Sequence, residues 1–259
     1  MRYFFLALLP LFILAGLAAC LPLATPLPPL PTDTATPALP TEIPTSTVVW
    51  FPPTPTPTPF STQVITPTAD LSPRFGELLF SDEFTEPGAW SLGKSPAGSA
   101  ALGKDELTIA VSKPKGYIYS VNNQNSLRDF YVEVTASPSI CRGADEYGLL
   151  LRISPALEFF RFAITCDGQT RLDKYANGRA SSPQPLTMSG AIPPGAPSSS
   201  RLAVWAVGRE MRFYANGEFL FSVNDSSLPS GGLGLFARSE GDTAVTVNFS
   251  DLNVYQASK

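Results

Sequence analysis

The chain has 259 residues, 27 prolines, three cysteines, no histidine and a formal charge of −4. The missing histidine excludes Ser-His-Asp and Cys-His catalysis, histidine metal clusters and a histidine pH switch. The acidic balance argues against a nucleic-acid partner, which wants a basic face, and no glycine-rich phosphate loop precedes a helix.

In chain order, the first element is a leader. Arg2 supplies a positive n-region, and Phe4 to Leu17 is an apolar run broken only by Pro10 and Gly16. Leu17-Ala18-Ala19-Cys20 then resembles a bacterial lipobox, implying that residues 1–19 are removed and that the mature chain begins at a lipidated Cys20. The competing readings are an ordinary secretory signal or a short membrane anchor, though a span wants about 20 apolar residues. The expected location is outside the cytoplasm, lipid-anchored to the cell membrane and exposed at the surface. Residues 20–72 form a Pro/Thr-rich stalk with about half of the chain's prolines, far above background, including Thr54-Pro55-Thr56-Pro57-Thr58-Pro59. Proline removes donors and favours extended backbone, so a disordered linker with polyproline II character is expected.

Residues 73–259 are read as one all-β domain. Short alternating runs lie between Gly, Pro, Asn, Asp and Ser clusters, with no sustained helical period. Strands are expected at 76–80, 100–102, 106–111, 117–121, 129–136, 147–153 and 158–165. Further strands are expected at 170–175, 201–207, 211–215, 218–223, 233–237 and 243–255. Asn216-Gly217 is a hairpin signal, since both positions tolerate positive φ. Many short strands and no helix point to a two-sheet antiparallel sandwich or a barrel. Cys141 and Cys166 fall at the open end of the hairpin whose tip is Ser154-Pro155-Ala156. A disulfide there is favoured over two free thiols, because the compartment permits it.

Several pieces resemble a known family. They are Asp82-Glu83-Phe84 with Trp90, the run Glu146-Tyr147-Gly148-Leu149-Leu150-Leu151-Arg152, Phe159-Phe160-Arg161-Phe162 and Asp167-Gly168. Further on come Leu202-Ala203-Val204, Phe213-Tyr214-Ala215-Asn216-Gly217-Glu218, Gly231-Gly232-Leu233-Gly234-Leu235 and Val247-Asn248-Phe249-Ser250-Asp251-Leu252. Together they are similar to the concanavalin A-like, or laminin G-like, jelly-roll domains of bacterial surface lipoproteins, in particular the branch called 3-keto-disaccharide hydrolase-like. The chain departs from the family pattern at Ser200-Arg201 and at Phe249-Ser250-Asp251. The resemblance implies a fold that hosts lectins, glucanases and inert spacers alike.

Strand parity points to a candidate site. Leu202, Val204 and Ala206 align with Met211, Phe213 and Ala215 as a core face, which turns Trp205, Arg212 and Tyr214 outward. The same alternation turns Phe159, Arg161, Tyr131, Glu133 and Arg152 outward. If these strands share one concave sheet, the eight residues make a carbohydrate platform, with rings stacking on sugar C–H faces and Arg and Glu meeting hydroxyls or uronic acids. The competing reading is cross-strand packing. Glycoside cleavage needs paired carboxyls. No Glu-x-Asp-x-x-Glu string exists, which leaves Glu133 with Asp173 as the weaker, catalytic alternative. No cofactor is required. Calcium wants six to eight oxygens, and Asp82, Glu83 and Asp251 near the two chain ends offer a weaker alternative to simple Asx turns. The function read from these signs is non-catalytic binding of an envelope or extracellular polysaccharide. The alternatives are a glycoside hydrolase-like enzyme and a structural or protein-interaction domain.

Overall fold

The computed structural model describes residues 71–258. The leader, Cys20 and the Pro/Thr segment up to residue 70 lie outside the described residues. The described residues contain no helix and form two antiparallel sheets packed face to face.

The larger sheet has nine strands. They are β1 (Phe75–Asp82), β2 (Gly93–Ser95), β3 (Gly98–Leu102), β4 (Leu107–Val111), β6 (Phe130–Ile140), β11 (Ser200–Val207), β12 (Glu210–Ala215), β13 (Glu218–Asn224) and β15 (Val245–Ala257). Their order is β13-β12-β11-β6-β15-β4-β3-β2, and β1 lies beside β15. The six-stranded sheet is built from β5 (Tyr117–Val121), β7 (Glu146–Ile153), β8 (Phe159–Thr165), β9 (Gln169–Ala176), β10 (Arg179–Met188) and β14 (Gly232–Arg238). Its order is β10-β9-β8-β7-β14-β5. All thirteen expected strands are present, with ends shifted by one to a few residues. The first strand pairs with the last, Asp82 facing Leu252.

Two strands escaped the sequence reading. The three-residue β2 is too short to show alternation. The other, β10, carries Pro183 and Pro185, which normally argue against a strand. As an edge strand it tolerates them, and its register against β9 shifts between Ser181 and Gln184 and again between Gln184 and Thr187.

The core follows from period two. Leu202, Val204, Ala206, Met211 and Phe213 from the larger sheet meet Leu149, Leu151, Phe160, Phe162, Ile164, Leu233 and Leu235 from the smaller one. Asn216 and Gly217 have φ of 52° and 82°, as a two-residue hairpin demands. Cys141 follows β6 and Cys166 follows β8, and their disulfide, with Cα atoms 5.8 Å apart, therefore ties one sheet to the other.

Candidate functional site

The two outer faces of the sandwich have different fates. On the nine-stranded sheet, parity correctly groups Trp205, Tyr214, Arg212, Tyr131 and Glu133 on the face away from the core. That face is covered. Residues 71–75 cross it, so Trp205, Tyr214 and Tyr131 are only 2 %, 3 % and 7 % exposed. Trp205 Nε1 donates to the Arg74 carbonyl at 2.8 Å and Tyr214 Oη donates to the Leu71 carbonyl at 2.6 Å. Phe75 stacks on Tyr131 with ring centres 4.3 Å apart. Arg212 lies 4.6 Å over the Trp205 ring and is held by Glu210 at 2.8 Å. Burial first, and the adjacent Glu133 carboxylate second, push the Tyr131 phenol up; its hydroxyl donates to Glu133. These rings therefore offer no open face to a sugar, contrary to the expectation. Alternation told which way they point, but not that the chain's own lead-in lies on top.

The remaining expected platform residues lie elsewhere. Arg152 has φ of 52°, which breaks the alternation of β7 and turns its side chain into the end of the sandwich. There it is buried and donates to the carbonyls of Leu228, Gly208 and Arg128 at 3.0, 2.8 and 3.2 Å. Phe159 and Arg161 belong to the six-stranded sheet, so the eight residues do not share one face.

Phe159 and Arg161 instead join a second constellation on the outer face of the six-stranded sheet. Registration brings Phe236, Gly148 and Ala163 into line across β14, β7 and β8, with Leu150 and Arg161 as the adjacent pair. Gly148 is obligatory, because its φ is 152° and a Cβ would stand 2.1 Å from the Phe162 carbonyl oxygen. The ring of Phe236 lies over the space this leaves. Arg161 packs over it at 5.5 Å and over Tyr175 at 5.3 Å. Phe159 stacks on Tyr175 at 4.8 Å, and Tyr117 packs against Phe236 and Tyr119. Tyr117, Tyr119, Leu150, Leu157 and Phe159 are among the residues lining a small apolar hollow of about 80 Å³. Tyr119 and Leu157 are exposed at its rim.

Beside the hollow lies an ion network. Arg161 holds Asp173 at 2.6 Å and approaches Glu146 at 3.6 Å. Arg171 holds Glu146 at 2.6 Å, and Arg238 lies 3.5 Å from Glu146 and 2.7 Å from Glu240. Ser182 donates to Asp173 at 2.6 Å. Burial pushes the Glu146 carboxyl up, with Arg161, Arg171 and Arg238 opposing. For Arg161, burial works against the charge, but Glu146 and Asp173 outweigh it and its pKa rises. Three buried atoms in this group, Tyr117 Oη, Glu146 Oε2 and Arg171 Nε, make no hydrogen bond among the described residues, although Arg161 and Arg238 lie 3.6 and 3.5 Å from Glu146 Oε2 and Asp173 lies 3.1 Å from Arg171 Nε. Ion pairing compensates Glu146 Oε2 and Arg171 Nε, whereas the Tyr117 hydroxyl is left as a costly unmet group. Apart from Phe159, Arg161 and Asp173, sequence reasoning singled out none of this constellation as a site. The signal was present in Arg171-x-Asp173-x-Tyr175 and Glu146-x-Gly148, which alternation puts on one face.

The weaker alternatives are corrected by topology. Glu133 lies on β6 and Asp173 on β9, on the outer faces of opposite sheets, so they cannot form a catalytic pair. Asp82 gives one carboxylate oxygen to the Phe84 amide at 2.7 Å and the other to Trp90 Nε1 at 2.8 Å. Asp251 accepts from its neighbour Ser250. Asp82 and Glu83 do line a cleft of about 370 Å³, but with Asn122 and Asn125 rather than Asp251. Among the described residues, Cys141, Asp145 and Cys166 bring three potential metal-ligand atoms within 4.8 Å of one another. Both thiols are consumed by the disulfide, and Asp145 caps the amides of Arg142 and Glu240.

No protein-family model and no curated protein matches the chain. Solved structures do. The carbohydrate-binding module CBM66 from Bacillus subtilis aligns with a TM-score of 0.53 at 17 % identity, over 65 % of this chain and 96 % of that one. A Bacillus licheniformis beta-glucanase aligns with a TM-score of 0.55 at 12 % identity, over 71 % of this chain and all of that one. A Bacillus subtilis protein of unknown function with a galectin-like fold aligns with a TM-score of 0.54 at 13 % identity, over 72 % of this chain and 99 % of that one. The likeness defines the fold class, a concanavalin A-like jelly roll. Within that class binding modules and hydrolases share one scaffold, so the function has to be argued from the site.

Proposed function

We propose that the domain is a non-catalytic glycan-binding module, presented outside the cytoplasm on a Pro/Thr stalk by a lipidated Cys20, and that its binding surface is the outer face of the six-stranded sheet. The observation that carries this reading is the juxtaposition there of partly exposed aromatic rings with the partly exposed guanidinium groups of Arg171 and Arg238. Tyr119, Phe159 and Tyr175 supply rings for sugar C–H faces. Arg171 and Arg238, each partly exposed, supply donors for hydroxyls. A carbohydrate-binding module and a beta-glucanase share this scaffold, which is consistent with it. The lipid anchor rests on Leu17-Ala18-Ala19-Cys20 alone, and mass spectrometry of the mature N-terminus tests it.

One observation supports a hydrolase reading as the second choice. Glu146 and Asp173 approach the same Arg161 nitrogen, which makes them a paired-carboxylate candidate where Glu133 is not. The binding reading is preferred because both carboxylates are buried and engaged by guanidinium groups, which leaves neither open to a glycosidic bond.

The test is affinity electrophoresis of the protein against neutral and acidic polysaccharides, with reducing-sugar release measured alongside. Tyr175→Ala and Arg171→Ala should each weaken binding at least about ten-fold, the scale of losing one good contact, while Trp205→Phe leaves it intact. Turnover abolished by Glu146→Gln would establish the hydrolase instead. Binding that ignores Tyr175 and Arg171, or no binding to any glycan, would sink the assignment of this face.

A further inference from the structure

Leu71 to Arg74 join no strand, yet the nine-stranded sheet grips them at two points. We propose that Trp205 and Tyr214 form a peptide-reading track for an extended, proline-containing backbone, occupied in cis by Leu71–Phe75.

Both donors are side-chain groups and both acceptors are main-chain carbonyls, so the track reads backbone rather than side-chain identity. The two carbonyls are three residues apart. Three residues of polyproline II rise about 9 Å. Trp205 faces Arg212 across β11 and β12 while Tyr214 faces Ala203, which makes the two rings diagonal neighbours. Diagonal positions on paired strands lie about 7–8 Å apart, a close match to that repeat. Pro73 falls between the two gripped carbonyls. It brings no N–H that would be left unpaired against the rings, and it biases Ser72 toward extended backbone. Phe75, stacked on Tyr131, anchors the end where the segment enters β1. Arg212, pinned by Glu210, holds the Trp205 ring from its own sheet. Aromatic grooves recognise proline-rich segments by the same physics, since such segments lose little entropy when they dock. The consequence is that Leu71–Phe75 are held on the face opposite the proposed glycan surface.

The track places the carbonyl of a tryptic site, Arg74–Phe75, in the grip of Trp205. The experiment is limited trypsinolysis of the full chain and of the Trp205→Phe/Tyr214→Phe double variant, which keeps an aromatic ring at both positions and removes both donors. Mass spectrometry follows the cut after Arg74, with the exposed Arg179 and Arg209 as internal references. The expected result is cleavage after Arg74 at least ten-fold faster in the variant, with the reference sites unchanged. Equal rates after Arg74, or acceleration shared equally by all three sites, would overturn the proposal.

Discussion

Arg152 is the residue whose role is furthest from its sequence reading. It is buried with three carbonyls around its guanidinium, drawn from the approach to β6, the β11–β12 turn and the β13–β14 connection. Burial pulls its pKa down, with Asp129 and Asp225 opposing. Arg152→Met removes the charge and leaves those carbonyls short of donors, each worth about 1–3 kcal/mol when orphaned. The expected loss is at least about 3 kcal/mol, or roughly 6–12 °C in melting temperature for a domain of this size, read by thermal unfolding. Asp225 gives a pH prediction. Burial raises its pKa, but the hydrogen bond from Lys174 at 2.6 Å and those from Ser227 win, and the net shift is downward. A depressed carboxyl stabilises the fold above its unfolded pKa, and that contribution is lost as pH falls through the lower folded value. Acid unfolding curves between about pH 5 and pH 2 should therefore flatten in Asp225→Asn and match wild type most closely at the acid end. At this scale the sequence was informative about direction and silent about surroundings. Alternation placed Trp205, Tyr214, Phe159 and Arg161 on outer faces, but it failed at Arg152 because a positive φ resets the period.

At the scale of elements, nearly every strand was legible because each buries one face and so must alternate. The exceptions are instructive. β10 is exposed along almost its whole length, so no core imposed a pattern on it, and its prolines are tolerated because it is an edge strand among the described residues. The disulfide was expected from the β7–β8 hairpin alone, yet Cys141 reaches Cys166 from the end of β6 in the other sheet. It therefore restrains the packing of the two layers as well as a loop. With the cysteines 25 positions apart in sequence, the chain-entropy model assigns the bond about 3 kcal/mol. Reduction, or the Cys141→Ala/Cys166→Ala pair, should lower the unfolding free energy by that amount, read as a lower denaturant midpoint. An unchanged midpoint would show that the β6–β8 connection is held by packing alone.

For the molecule as a whole, the decisive question was which strands share a sheet. The chain order interleaves the two layers. β6 is followed by β7 to β10 in the other sheet, and β11 then returns to pair with β6. Eight outward-facing residues that looked like one platform were divided by this topology. One group became the bed of the N-terminal segment. Phe159 and Arg161 joined Tyr175, Glu146, Arg171 and Arg238 on the opposite side, while Arg152 turned into the end of the sandwich. Composition and local pattern determined the all-β class, thirteen of the fifteen strands, the Asn216-Gly217 turn and, apart from Arg152, the outward orientation of the candidate side chains, because these depend on neighbours within a few residues. Sheet membership, the burial of Trp205 and Tyr214, and the assembly of the ion network around Arg161 were decided only by tertiary structure. They depend on pairings between residues far apart in the chain, such as Leu71 with Tyr214 and Glu146 with Arg238, whose closeness no local period encodes.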